Sequence, residues 1–140
     1  MLFRSNTLAV IASRGSFNSL VQVVTLLMAA VGSGVAVRVF FRDEAVLKVT
    51  KSRAREINLS DAYRGQERDV RERLSAQGLT DLPGLLAGIK ASGDVRLFAC
   101  SSSMAICGVK AEDLLDGIEV RGLTAFLLED VVAADRVLTF

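Results

Sequence analysis

Short, continuously apolar runs alternate with helical patterns along most of this chain, and that alternation restricts the fold more than any other feature. Residues 7–12 (TLAVIA) read as a buried first strand. From Phe17 onward Leu20, Val23, Val24, Leu27, Met28 and Val31 recur at spacings of three and four, which predicts a helix over 17–31 with one broad apolar face. Gly32, Ser33 and Gly34 stop it. Residues 35–41 (VAVRVFF) form a second strand, apolar enough to be covered on both faces, with Arg38 expected near an end or an edge. Further strands are expected at 95–100, 118–120 and 136–140, and helical segments at 43–49, 66–77, 81–91, 110–115 and 122–132. Asp81 is placed as a cap, with Pro83 in the first turn that follows. Each crossover is long enough to be parallel and right-handed. The expected class is therefore α/β: a three-layer α/β/α arrangement on a mostly parallel sheet of about five strands, forming one domain over residues 1–140.

Several function classes fall away on composition. The chain contains no histidine, which removes a Ser–His–Asp triad, a Cys–His pair and imidazole metal sites. Its two cysteines, Cys100 and Cys107, cannot build an ordinary four-ligand zinc centre without histidine, so neither metal nor cofactor is expected. Net charge is +1, too small to suggest a nucleic-acid partner. Residues 1–73 nevertheless carry 12 basic and 7 acidic side chains, and residues 74–140 carry 5 and 9. That polarity suits docking of protomers or approach of an anion. The longest apolar stretch, residues 20–31, includes Gln22 and Thr25 and is shorter than the roughly 20 residues of a membrane span. The run at 8–12 ends in Ser13-Arg14-Gly15 rather than a small-residue cleavage site, so a cytoplasmic protein with reduced thiols is expected.

The chemistry concentrates in DVRLFACSSSMAICGV, residues 94–109. Cys100 ends a strand and precedes a helix, where unpaired N–H groups and the helix dipole favour a thiolate, and where open α/β sheets bind ligands. Ser101, Ser102 and Ser103 supply hydroxyls and a capping group at the helix start. The competing reading is that Cys100 is a small buried hydrophobe. Cys107 lies seven residues on, about 10 Å away along a helix and too far for a disulfide. It is read as core packing, with a resolving thiol as the lesser reading. Gly15 and Ser16, after the first strand, could cradle an anion on backbone N–H groups, but the loop lacks a phosphate-binding pattern and a capped loop is the preferred reading. The polar, basic segment from Thr50 to Gly65, with Tyr63, is read as an excursion beside the site or an oligomer contact, and the basic run from Lys48 to Arg55 as a solvated face. The pairs Glu67–Arg71, Arg68–Glu72 and Asp69–Arg73 also mark a solvated face, and Met104 is read as core.

The stretch Ala99-Cys100-Ser101-Ser102-Ser103-Met104-Ala105-Ile106-Cys107-Gly108-Val109, followed by Glu112-Asp113-Leu114-Leu115-Asp116-Gly117-Ile118-Glu119-Val120, resembles the DsrE/F-like superfamily, in particular its DsrE-like branch often labelled as peroxiredoxin family. The C-x-x-x-M-x-x-x-G-[IV] block followed by D-G-[IV]-E is the specific part of the likeness. The resemblance implies an α/β/α fold, homo-oligomers (trimers or hexamers), and a sulfur carrier in which Cys100 takes sulfane sulfur as a persulfide. It also implies rhodanese-like or TusA-like sulfurtransferase partners. Peroxidase activity is not implied, because the threonine-and-proline setting of a peroxidatic thiol is missing and Pro83 is the only proline. Ala105 stands where the family usually has aspartate, Cys107 where it usually has methionine or another apolar residue, and Arg42-Asp43-Glu44 replaces an aromatic-rich segment after the second strand. Two other readings compete with the carrier: a non-catalytic binding module with buried cysteines, and a thiol redox protein pairing Cys100 with Cys107.

Overall fold

The computed structural model describes residues 6–140. Strands β1 (Thr7–Ala12), β2 (Ala36–Phe41), β3 (Val95–Cys100), β4 (Ile118–Arg121) and β5 (Arg136–Thr139) form one sheet in the order β4-β3-β2-β1-β5. Every neighbouring pair is parallel. The helices are α1 (Phe17–Gly32), α2 (Glu44–Lys48), α3 (Glu67–Ala76), α4 (Leu82–Ser92), α5 (Ser101–Cys107) and α6 (Leu123–Phe126). Helix α6 runs directly into a π-helical segment, Leu127–Val131.

The order explains how the layers form. From β1 to β4 the chain steps steadily toward one edge, and right-handed crossovers then keep the connecting helices on one face. Buried residues of α1, α2, α4 and α5 pack there with Val10, Val37, Val39, Phe41, Leu97 and Ala99 in the larger core. The β4-to-β5 connection travels back across the whole sheet, so the same handedness puts α6 on the opposite face. The second layer is thin. Its core is Ala9, Phe40, Phe98, Cys100 and Phe126, with Ile11, Val131 and Ala134 packed around them. Phe126 stacks on Phe40 at 4.5 Å and meets Phe98 edge-on at 6.0 Å.

That thin layer corrects the expectation for Arg38. It sits on the central strand β2, not at an edge. The part of this face beyond α6 is polar, and Arg38 pairs with Asp94 at 3.0 Å and Asp130 at 4.0 Å. Arg96 pairs with Glu119 at 3.0 Å, and Arg121 holds Glu129 at 2.6 Å together with Asp130. Both Arg96 and Arg121 also lie over the Phe98 ring.

The basic segment is also less solvated than its composition suggests. Lys48 is only 3% exposed, and its Nζ donates to the Arg53 and Glu56 carbonyls at 3.1 and 2.7 Å. Burial holds its pKa below the usual lysine value. Ala54 is buried in the main core, and a bridge between Thr50 and Leu114 ties the excursion to the loop before β4. On α3, Arg68–Glu72 forms at 3.4 Å, but Glu67 accepts from the Gly65 N–H and Arg71 donates to the Ile57 carbonyl. Met104 is buried in the main core, as its spacing suggested.

Candidate functional site

The connections leave β3 and β4 on opposite faces: α5 packs into the main core and α6 into the thin layer. Adjacent strands whose crossovers diverge leave a crevice at their carboxyl ends, the usual ligand position in open α/β sheets. Cys100 is the last residue of β3 and pairs in register with Arg121, the last of β4. Cys100 itself is the N-cap of α5, with φ −66° and ψ 120°. A serine cap was expected there. The strand's final residue takes that extended position instead, and the three serines fall in the first helical turn.

Their hydroxyls turn to other partners. Ser102 Oγ lies 3.2 Å from Cys100 Sγ. Ser103 Oγ accepts from the Asp43 N–H at 2.9 Å, which leaves its own proton free for the sulfur. Burial pushes the Cys100 thiol up. The Ser102 and Ser103 hydroxyls and the N–H groups of both residues outweigh it, bringing the pKa from an ordinary 9.0 to about 7. Cys100 is 0% exposed, while Ser101 and Ser102 beside it are exposed.

The β2–α2 junction completes the surroundings. Asp43 has φ 49° and ψ −130°, the one positive φ at a non-glycine among the described residues. Such a backbone costs of order 1–3 kcal/mol and persists only where neighbours enforce it. Here the Asp43 N–H holds Ser103, and its carbonyl accepts from the Cys107 thiol at 3.8 Å. Gly15 explains part of the constraint: a Cβ there would stand 2.7 Å from both Cβ and O of Glu44, so only glycine lets the β1 loop approach α2 this closely.

Cys100, Ser102 and Ser103 are thus brought together. Ser101 is exposed and faces Gly122. Ser16 caps α1, accepting from the Ser19 N–H at 3.3 Å, and the Gly15 carbonyl accepts from Asn58 at 3.3 Å. Neither Gly15 nor Ser16 hydrogen-bonds to the cysteine group. Cys107 ends α5 and is partly exposed; both cysteines are free thiols. Sequence reasoning missed Asp43, because no residue type announces a strained peptide, and it read Arg42 only as a departure. Among the described residues no cluster suits a metal ion and no helix is long and apolar enough to cross a membrane.

The model of the DsrE/DsrF/DrsH-like family matches residues 32–138. The chain belongs to that family. Membership supports a role related to sulfur metabolism, and members of the family are often oligomeric. No curated protein matches the chain. Among solved structures it is similar to the YchN protein from E. coli, with 22% identity, a TM-score of 0.59, and coverage of 98% of this chain and 100% of that one. It is also similar to MTH1491 from Methanobacterium thermoautotrophicum, a protein of unknown function, with 19% identity, a TM-score of 0.57, and coverage of 96% and 99%. At these identities the likeness speaks for the fold, the same α/β architecture that this DsrE-like chain adopts.

Proposed function

We propose that this DsrE-like protein is a sulfur carrier, with Cys100 as the acceptor of sulfane sulfur. The observation that supports this reading is the convergence of the Ser102 and Ser103 hydroxyls and backbone N–H groups on one sulfur at the carboxyl end of β3. Those donors stabilise a thiolate, and they serve the terminal sulfur of a persulfide equally well, since it too is an anion. A thiolate already ionised near neutral pH attacks without a general base, which fits a chain lacking histidine. In the loading step the Cys100 thiolate bonds to the outer sulfur of the donor and the donor's S–S bond breaks, its electron pair leaving with the departing group. Unloading is the same exchange onto a partner's thiolate, as expected for rhodanese-like or TusA-like proteins.

Phe126 of α6 packs in the same cluster as Cys100 and is read as its cover, and the exposed apolar side chains Leu123, Leu127, Leu128 and Val132 lie on α6 and the segment that follows it. A homo-oligomer built through them fits the family. Because Cys100 is fully covered, its loading requires this cover to move aside.

The test is mass spectrometry of the native protein after exposure to hydrogen polysulfide. The expected result is a gain of one sulfur atom on Cys100 that is absent in Cys100→Ser. Equal loading of the variant would move the role to Cys107 or abolish it. The zero exposure of Cys100 favours a second reading, a non-catalytic module with a buried cysteine. In that case iodoacetamide would label Cys100 only as fast as the protein unfolds.

A further inference from the structure

The arginines of the thin-layer face are paired, with one exception. Arg38, Arg96 and Arg121 each hold a carboxylate. Arg42, one residue past β2, has a buried Nε with no hydrogen-bond partner, and no carboxylate pairs with it among the described residues. A buried guanidinium nitrogen left unpaired has lost its water without compensation, so its presence calls for a reason.

Its place supplies one. The β2–β3 register pairs Phe40 with Phe98 and Phe41 with Ala99, so Arg42 comes level with Cys100. Arg42 still follows the strand path, its N–H donating to the Ala12 carbonyl at 2.8 Å. Side chains alternate along a strand, and Phe40 belongs to the same cluster as Phe98 and Cys100, so Arg42 falls on the cysteine's side of the sheet. A neighbouring parallel strand is about 4.8 Å away. An anion with two or three oxygens is the partner that a guanidinium fork fits best.

We propose that Arg42 is an oxyanion-receiving residue that selects the sulfur donor: it holds the sulfonate end of a thiosulfonate-type donor while Cys100 takes the outer sulfur. This rests on the carrier reading and names the donor class for the same site. With thiosulfate the Cys100 thiolate bonds to the sulfane sulfur and the S–S bond of thiosulfate breaks. Sulfite departs with that electron pair, and the persulfide anion remains on the protein. One thiolate and one dianion give one persulfide anion and one dianion, so charge balances with no oxidant or reductant. Arg42 binds the departing sulfite, where negative charge persists throughout.

The experiment compares the wild type, Arg42→Met and Arg42→Lys, following sulfur loading of Cys100 by mass spectrometry with thiosulfate and separately with hydrogen polysulfide, which has no oxyanion. Arg42→Met should lose about 30- to 100-fold in rate with thiosulfate, the size of one charge-assisted contact, and less than about three-fold with polysulfide. Arg42→Lys should fall between. The melting temperature of Arg42→Met should stay level or rise, because an unpaired buried nitrogen is removed. If that variant does not fold, Arg42→Lys carries the comparison. Equal losses with both donors, no loss with either, or a wild type loaded by polysulfide and never by thiosulfate would overturn the assignment while leaving the carrier intact. Should neither donor load the wild type, the carrier reading falls and the subsite is read by sulfite. Protection of Cys100 from iodoacetamide by sulfite, lost in Arg42→Met, supports the oxyanion site, and no protection removes it.

Discussion

Ser102→Ala is the sharpest probe of the thiolate. Ser102 is exposed, so its loss opens no cavity, and its Oγ stands 3.2 Å from Cys100 Sγ. Four hydrogen-bonding groups must together outweigh burial and still bring the thiol from 9.0 to about 7. A hydroxyl bonded to a charged sulfur contributes about 1.5 kcal/mol, so its removal should raise the titration midpoint by about one pH unit. At pH 7 the ionised fraction then falls from about one half to about one tenth. The remaining thiolate is more basic, and a Brønsted slope of about 0.45 makes it about three-fold more nucleophilic. The alkylation rate at pH 7 therefore drops only about two-fold, and above pH 9 the variant reacts about three-fold faster than the wild type. A rate at one pH would miss the effect; the curve across pH, read with thiolate absorbance, carries it. Coincident wild-type and variant midpoints would refute the role of the hydroxyl. A wild-type midpoint near 9 would refute the stabilised thiolate altogether.

Stability should also follow the thiol. Its folded pKa lies below the ordinary value, so the contribution is fully present above pH 9 and lost as pH falls through about 7; the wild type should gain about 3 kcal/mol relative to Cys100→Ser between pH 6 and pH 10 in denaturant unfolding. Phe126→Ala removes the ring stacked on Phe40 and should cost about 3–5 kcal/mol. It should also speed alkylation of Cys100 at least ten-fold at temperatures where the protein stays folded, whereas an unchanged rate would place the cover elsewhere. Lys48→Met strands the Arg53 and Glu56 carbonyls and should lower stability by about 2–4 kcal/mol, with protease cleavage appearing first in residues 50–58. Asp43→Gly relieves the positive φ and should raise stability by about 1 kcal/mol while leaving the Cys100 midpoint within about half a pH unit, since the peptide N–H that holds Ser103 is kept.

The alternation of apolar runs with helical spacing was enough to place all five strands to within a residue or so and to give the α/β class. What it could not give was which face each crossover takes. That depends on strand order, and the return of β5 to the far side of β1 is a long-range choice with no local signature. Arg38 was misplaced for this reason: an arginine inside an apolar strand looks like an edge residue unless one face is known to be thin and lined with carboxylates such as Asp94 and Asp130. Lys48 was misread because charge signals solvent, and nothing in the residue type says that two carbonyls wait for its ammonium. The place of Cys100 at the strand-to-helix junction was legible because a cysteine between a strand and a serine run is constrained locally. The donors from Ser102 and Ser103 followed from that sequence, but the Asp43 N–H behind Ser103 arrives from 60 residues away.

The costly features of this chain gather within a few residues of one strand end. Asp43 carries a backbone that glycine would tolerate better, Arg42 carries a buried nitrogen without a partner, and Cys100 carries a low pKa in a layer closed to water. Each is a local conflict of the kind that well-packed parts of a protein avoid. The sheet's other face carries a continuous apolar core from Val10 and Val37 through Leu97 to Leu86, and the ammonium of Lys48, buried beside it, is satisfied by the Arg53 and Glu56 carbonyls. Chance would scatter such defects across the fold. Their meeting at the carboxyl ends of β2 and β3, beside the point where the crossovers diverge, is the ground for proposing that an anionic sulfur species is taken up there. The large core supplies the stability that these few residues give up, and for that reason relieving Arg42 or Asp43 should make the protein more stable, and relieving Arg42 should at the same time make it a poorer acceptor of sulfur from thiosulfate.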